Sequence, residues 1–177
     1  MIFETKRLIA RRFDPRDLDD FRTMRDHPDV ARYQSWQTFS SGDAREFLRS
    51  LTTRNPGDPG WFQFALELRE TGGFIGDCGL KIIEDNASLA QIGYTIAKPH
   101  WRQGLATEAV TALIGYAFAS FAIERIQASI DPRNTASLRV LEKCGMRQEA
   151  FIARSEWLKG EWVDDMIYSI ARGGRGD

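Results

Sequence analysis

An uncharged run from Ala109 to Ile123 sits between two strand-like segments, LAQIGYTI (residues 89–96) and RIQASI (residues 125–130). It falls short of the ~20 residues that a bilayer-spanning helix needs, so it reads as part of a buried helix, predicted over Thr107–Phe121. A helix that carries the chain from one strand to its neighbour returns it in the same direction. The two flanking strands must therefore be parallel. That requirement sets the fold class as α/β with at least one parallel pair.

The rest of the chain is punctuated for antiparallel pairing. WFQFALELR and FIGDCGLKII are separated by ETGG, and EDNAS precedes LAQIGYTI. FIARSEWL and EWVDDMIYSIA flank the turn Lys159-Gly160. TKRLIARRF is predicted as a first strand with Leu8 and Ala10 on one side. Asp14-Pro15 starts a helix, Asp as the cap and Pro at the first helical position. DHPDVARYQSW holds a short helical turn, and a second helix follows Ser41. A later helix over Thr135–Lys143 ends at Gly145. The predicted order is β-α-α-β-β-β-α-β-α-β-β, a mostly antiparallel sheet flanked by helices.

At 177 residues the chain suits a single domain, expected over residues 1–172, with GGRGD (residues 173–177) as a flexible tail. Its Arg175-Gly176-Asp177 spells an adhesion tripeptide, but MIFETKRLIARRF offers no apolar segment of a secretory signal. A cytoplasmic setting is expected. The net charge of -1 gives no basic field for nucleic acid or an anionic membrane. Cys78 and Cys144 lie far apart, outside any ligand-spaced cluster, and read as reduced thiols. No metal is expected.

The chemistry is concentrated at HWRQGLATEAV, residues 100–110. A helix N-terminus leaves backbone N–H groups unpaired and carries a partial positive charge, which suits a phosphate. Gly104 lets the backbone approach without a Cβ, Ala106 keeps the next position small, and Arg102 adds positive charge. Thr107 is able to cap the helix or donate a hydroxyl. A plain strand–helix connection, with Gly104 serving only the turn, fits equally well. The stretch lacks the Gly-Lys-Ser/Thr of a Walker turn and is not GxGxxG.

Together, QIGYTIAKPHWRQGLATEAV, IDPRNTASLRVLEKCGM and EWLKGEWVDDMIYSI, with the N-terminal ETKRLIARRFDPRDLDDF and DVARYQSW, resemble the GNAT superfamily of N-acyltransferases. Within it the chain resembles the RimJ/RimL type, which acetylates ribosomal-protein N-termini. The resemblance implies a twisted mixed sheet whose central parallel strands splay around acetyl-CoA, the co-substrate. It puts the diphosphate cradle at Arg102, Gln103, Gly104, Leu105, Ala106 and Thr107. The superfamily turn is Gln/Arg-x-x-Gly-x-Gly/Ala, and Trp101 departs from its first position. The strand end Tyr94-Thr95-Ile96 would pair with the pantetheine arm as an added strand does.

The resemblance also assigns Asn134 to the pantetheine arm, although a helix N-cap accounts for it equally. Many relatives carry a Tyr seven residues later as the acid; here Leu141 stands there, and Ser137 is the RimL-like replacement. Gln91 occupies the place of a common Glu base, leaving Glu156 as the carboxylate for that role or as a solvated hairpin residue. Asp164 and Asp165 read as hairpin charges, and His27 and His100 as loop residues. Tyr33, Trp36, Trp61 and Trp157 are candidates for the acceptor wall, or are core aromatics. The implied reaction is direct acetyl transfer to a primary amine, first a protein N-terminal α-amine. A small-molecule amine (a polyamine, aminoglycoside or amino acid) and a non-catalytic acyl-CoA-binding module are the alternatives. A homodimer is left open.

Overall fold

The structure, a computed structural model, describes residues 1–174. The tripeptide 175–177 and most of the expected tail lie outside the described residues. Eight strands form one sheet: β1 (Phe3–Glu4), β2 (Leu8–Arg11), β3 (Gly60–Leu68), β4 (Phe74–Ile83), β5 (Asn86–Ile96), β6 (Arg125–Ile130), β7 (Arg147–Leu158) and β8 (Glu161–Ala171). Their order across the sheet is β1-β2-β3-β4-β5-β6-β8-β7. Every neighbouring pair is antiparallel except β5–β6, the pair joined by the long helix α4 (Leu105–Ser120). The parallel register is brief: Leu89, Ala90 and Gln91 face Arg125, Ile126 and Gln127. Beyond Gln91 the two strands part.

The helices cover both faces. On one, α4 buries Leu105, Ala109, Val110, Leu113, Ile114 and Ala117, a stripe at helical spacing. This stripe meets Phe62, Phe64, Leu80, Ile92 and Ile126 of the sheet. Each large side chain so buried contributes ~1.5–3 kcal/mol. α5 (Thr135–Lys143) extends this layer through Leu141, which is fully buried. On the opposite face, α1 (Leu18–Asp26), α2 (Pro28–Ala31) and α3 (Ser41–Leu51) build a second cluster around Phe21, Met24, Val30 and Ala44. Asp14 accepts from the Arg16 amide and opens the 3-10 turn Pro15–Asp17 that leads into α1. Ser40 and Asp43 form a reciprocal capping box for α3.

Three boundaries differ from the sequence reading. α4 begins at Leu105, two residues before Thr107, because Gly104 adopts φ 76, ψ 4 and is itself the N-cap. A glycine cap has no side chain to announce it, and Thr107, already inside the first turn, does not cap. β5 begins at Asn86, so the turn before it is only Glu84-Asp85. β7 begins at Arg147; it is an edge strand exposed along nearly its whole length, with no apolar alternation to read. The ends of α5 and the left-handed Gly145 (φ 83) fall where predicted.

Candidate active site

The parting of β5 and β6 opens a cleft of about 420 Å³. Ile92, Gly93 and Tyr94 of β5 line one side, and Ala128, Ser129 and Ile130 of β6 the other. The N-terminal half of α5 contributes Asn134 and Ser137, and the β7–β8 hairpin contributes Ser155, Glu156 and Asp164. Residues Tyr33, Gln34 and Ser35, just after α2, form a further wall beside Trp61.

The β5 strand runs from this cleft directly into the predicted phosphate turn. After Ile96 come a 3-10 turn, Lys98–His100, and then Trp101, whose indole Nε1 donates to the Ile96 carbonyl at 2.6 Å. Thus the departure at Trp101 has a local use: it pins the turn to the strand. Arg102 and Gly104 both take left-handed conformations, φ 61 and φ 76. A Cβ at Gly104 would stand 3.6 Å from Arg7 Nη2, an ordinary contact. Glycine is therefore required there by its dihedral angle rather than by crowding. Gly104, the N-cap, offers the first amides of α4 no side-chain acceptor.

Arg7, which the sequence reading missed, holds this turn in place. Its Nη1 donates to the Gln103 carbonyl at 2.9 Å, and its Nε pairs with Glu108 at 2.6 Å. Thr5 Oγ1 and the Arg7 amide donate to the same carboxylate, at 2.5 and 2.9 Å. Desolvation pushes the Glu108 carboxyl up, but the bonds from Thr5 and Arg7 outweigh it and hold it below the usual range. A negative side chain in the first turn of α4 would otherwise oppose an anionic ligand; Arg7 neutralises it. Nothing local marks Arg7 for this role, since its partners lie about a hundred residues on.

Tyr94 crosses the cleft floor. Its hydroxyl donates to the Ser137 carbonyl at 3.1 Å, and burial, partly offset by that bond, pushes its pKa up to about 12. Asn134 caps α5, its Oδ1 accepting from the Ser137 amide at 3.2 Å, and it also lines the cleft. Ser137 is thus held through both backbone groups. Thr95 and Ile96 are buried, 8% and 7% exposed, and do not line the cleft. Their strand pairs with β4 on one side, while β6 does not reach them on the other. The Ile96 carbonyl is already taken by Trp101.

Several expected residues fall elsewhere. Trp36 is not in the cleft: its ring lies against the Arg25 guanidinium at 4.3 Å and its Nε1 donates to the Arg25 carbonyl. Trp157 is also outside, 58% exposed and stacked edge-on against Trp162 across the hairpin. Asp164 and Asp165, read as hairpin charges, line the cleft; they accept from the Arg154 amide and the Ser129 hydroxyl. His27 caps α2 and His100 sits in the 3-10 turn, both away from the cleft.

The cleft wall is anionic. Asp131, Glu156, Asp164 and Asp165 line it, with no lysine or arginine among the lining residues. Asp131 is neutralised by Arg133 at 2.6 Å. Among the described residues the other three form no ion pair, and the Glu156 side chain makes no hydrogen bond, although its backbone lies in the β7–β8 ladder opposite Val163. Cys144 donates weakly to the Thr107 carbonyl, and burial raises its thiol, unlike an activated nucleophile. No group of three His, Cys, Asp or Glu among the described residues is arranged to hold a metal. No described helix is long and apolar enough to cross a membrane.

The chain matches the family model described as an acetyltransferase (GNAT) domain over residues 7–147. It is 30% identical to an uncharacterized N-acetyltransferase, p20, of Bacillus licheniformis, over 95% of this chain and 94% of that protein. The crystal structure of a GNAT-family acetyltransferase from Bacillus anthracis superposes with a TM-score of 0.85 at 28% identity, covering 97% of this chain and 98% of that one. RimL, a ribosomal L7/L12 α-N-protein acetyltransferase solved with coenzyme A, shares the fold with a TM-score of 0.84 at 18% identity, covering 96% and 97%.

Proposed function

The chain belongs to the GNAT acetyltransferase family and is an N-acetyltransferase; we propose that it moves the acetyl group of acetyl-CoA directly to a primary amine, first a peptide N-terminal α-amine. The observation that carries this reading is the parting of β5 and β6 after three register pairs. It leaves an unpaired strand edge running from a left-handed glycine turn into a cleft walled by Asn134, Ser137 and Glu156.

In this reading the first amides of α4, with Arg102, hold the diphosphate. The free edge of β5 takes the pantetheine arm, which Asn134 also touches. The acceptor nitrogen attacks the thioester carbon, the C–S bond breaks, and the nitrogen loses a proton to Glu156, directly or through water. The departing thiolate, from a thiol of pKa ~8.5, is already a good leaving group; the Ser137 hydroxyl passes it a proton while taking one from solvent, on a backbone that Tyr94 and Asn134 hold. An α-amine has a pKa of ~7.7–8.0, so a weakly placed base suffices; a lysine amine at ~10.4 demands a stronger one. Positioning supplies on the order of 7–11 kcal/mol and one oxyanion donor ~3–4, so the coenzyme cradle outweighs any single side chain.

RimL gives precedent on this fold for a peptide α-amine. A second reading, a small cationic amine, is favoured by the anionic lining of the cleft. A cytoplasmic setting belongs to the same proposal and accords with two free cysteines. So does a homodimer formed through the exposed outer hairpin, where Phe151, Ile152, Trp157 and Trp162 are 46–58% exposed. Thiol release from acetyl-CoA, measured across a panel of peptides and amines, tests the reading. Glu156→Gln should lower kcat at least tenfold, toward the roughly 10²-fold of a lost general base, with the acetyl-CoA KM unchanged. No release with any acceptor, despite tight coenzyme binding, would leave only an acyl-CoA-binding module.

A further inference from the structure

The cleft wall Tyr33-Gln34-Ser35 is fastened at both ends, by unlike means. On the far side, Trp36 is locked into the interior. Its indole donates to the Arg25 carbonyl at 2.8 Å and its ring covers the Arg25 guanidinium, which also packs on Phe21, Phe39 and Phe47 and pairs with buried Asp77 at 3.1 Å. On the near side the wall follows the C-terminal end of α2. There the fastening comes from across the cleft: Lys159, at the tip of the β7–β8 hairpin, donates to the Ala31 carbonyl at 2.5 Å and reaches the Arg32 carbonyl at 3.4 Å. The Gln34 amide donates to the same Ala31 carbonyl, so the bridge touches the wall's own turn. Lys159 and Gly160 both take left-handed conformations, φ 51 and φ 86, which set the hairpin tip.

Lys159 has no contact with the coenzyme turn and does not line the cleft; α2 is tied to the 3-10 turn before the coenzyme turn by a separate, exposed pair, Asp29 with Lys98. The Lys159 bridge does join the two walls between which an amine must fit: Tyr33–Ser35 on one side, Glu156 and Leu158 on the other. A cation on the last carbonyls of a helix is a favourable and reversible contact, whereas the buried Arg25–Asp77 fastening is not readily undone. The wall is thus locked at Trp36, while at its other end α2 stays seated through buried Val30 and Ala31 and only the Lys159 contact on its last carbonyls is readily released.

Resting on the reading of this cleft as the acceptor site, we propose that Lys159 is a positioning residue for the acceptor: it latches the Tyr33–Ser35 wall to the β7–β8 hairpin and so sets the distance between that wall and Glu156. The test compares the unaltered protein with Lys159→Met and Lys159→Arg. Steady-state kinetics use the best amine from the acceptor panel, and hydrogen exchange follows residues 32–36. Lys159→Met should raise the acceptor KM roughly five- to tenfold, the scale of one ordinary hydrogen bond, and leave the acetyl-CoA KM in place. Exchange over residues 32–36 should quicken, and Lys159→Arg, which keeps the cation, should recover most of both effects. Equal changes in both KM values, or faster exchange with no change in acceptor KM, reduce Lys159 to a structural tie and overturn the proposal. So does a methionine variant identical to the unaltered protein, and that result leaves the transferase reading standing. If the unaltered protein acetylates no amine, the transferase reading falls first and this proposal with it.

Discussion

Replacing Gly104 with alanine separates the dihedral demand of the turn from its binding role. Gly104 sits at φ 76, where an L-residue is disfavoured by ~1–2 kcal/mol. No steric penalty adds to this, because the new Cβ would meet only Arg7 Nη2, at 3.6 Å. The penalty has two places to appear. If the free protein keeps its turn, stability falls by that amount, and Tm drops roughly 2–8 °C at ~2–4 °C per kcal/mol for a chain of this size. If the free protein relaxes the turn, Tm holds, and the coenzyme must restore the geometry on binding. Affinity for CoA then weakens roughly 5- to 30-fold. Losses in stability and binding should together come to ~1–2 kcal/mol. Thermal melting without ligand and calorimetric titration with CoA measure the two parts. Unchanged Tm with unchanged CoA affinity would refute the dihedral argument. Coenzyme binding indifferent to both Gly104→Ala and the bulkier Gly104→Val would refute the cradle.

The clamp behind the turn is pH-dependent. The Glu108 carboxyl is held below its ordinary value of 4.5, so its contribution to stability is present above about that pH and is lost as pH falls through the lowered value. Melting curves of the unaltered protein and Glu108→Gln should differ above pH ~4.5 and converge in more acid solution; parallel curves throughout would remove the clamp. Asn134→Ser divides the two roles of that residue. Serine is as good an N-cap, so Tm should hold, while the acetyl-CoA KM should rise if the carboxamide contacts the pantetheine arm. An unchanged KM would leave Asn134 a cap alone.

The elements that carry the site were legible because they are coded locally. The uncharged run before Glu124 gave α4 and thus the parallel pair, and Gly145 marked the end of α5 at its left-handed residue. Gly104 was found by its place in a turn. What sequence reading lacked was the pairing of distant residues. Arg7 acts on a turn some hundred positions away, and its own neighbours, Lys6 and Leu8, say nothing of it. Trp36 and Trp157 were selected as aromatics near the right elements, but which face of a loop or hairpin they occupy is a tertiary outcome. One went to the Arg25 box, the other to the outer surface. Asp164 and Asp165 look like ordinary hairpin charges until β6 and β8 pair, Ser129 opposite Ile167 and Ile130 opposite Met166, and turn them toward the gap.

The shortness of the β5–β6 register has a mechanical meaning. Five strands lie on one side of that seam and three on the other, stitched directly by three facing residue pairs and the bond from the Glu124 amide to the Ser88 carbonyl beside them, and otherwise through the helices laid over them. Threaded into the gap, a coenzyme would act as the missing stitch, its amides bonding to β5 where β6 has turned away. Occupancy then does more than deliver a reactive group, because it finishes the β-structure. The amides of Ile92 and Tyr94, which face the gap while those of Gly93 and Thr95 face β4, would be the place where solvent protons slow most sharply when the ligand enters.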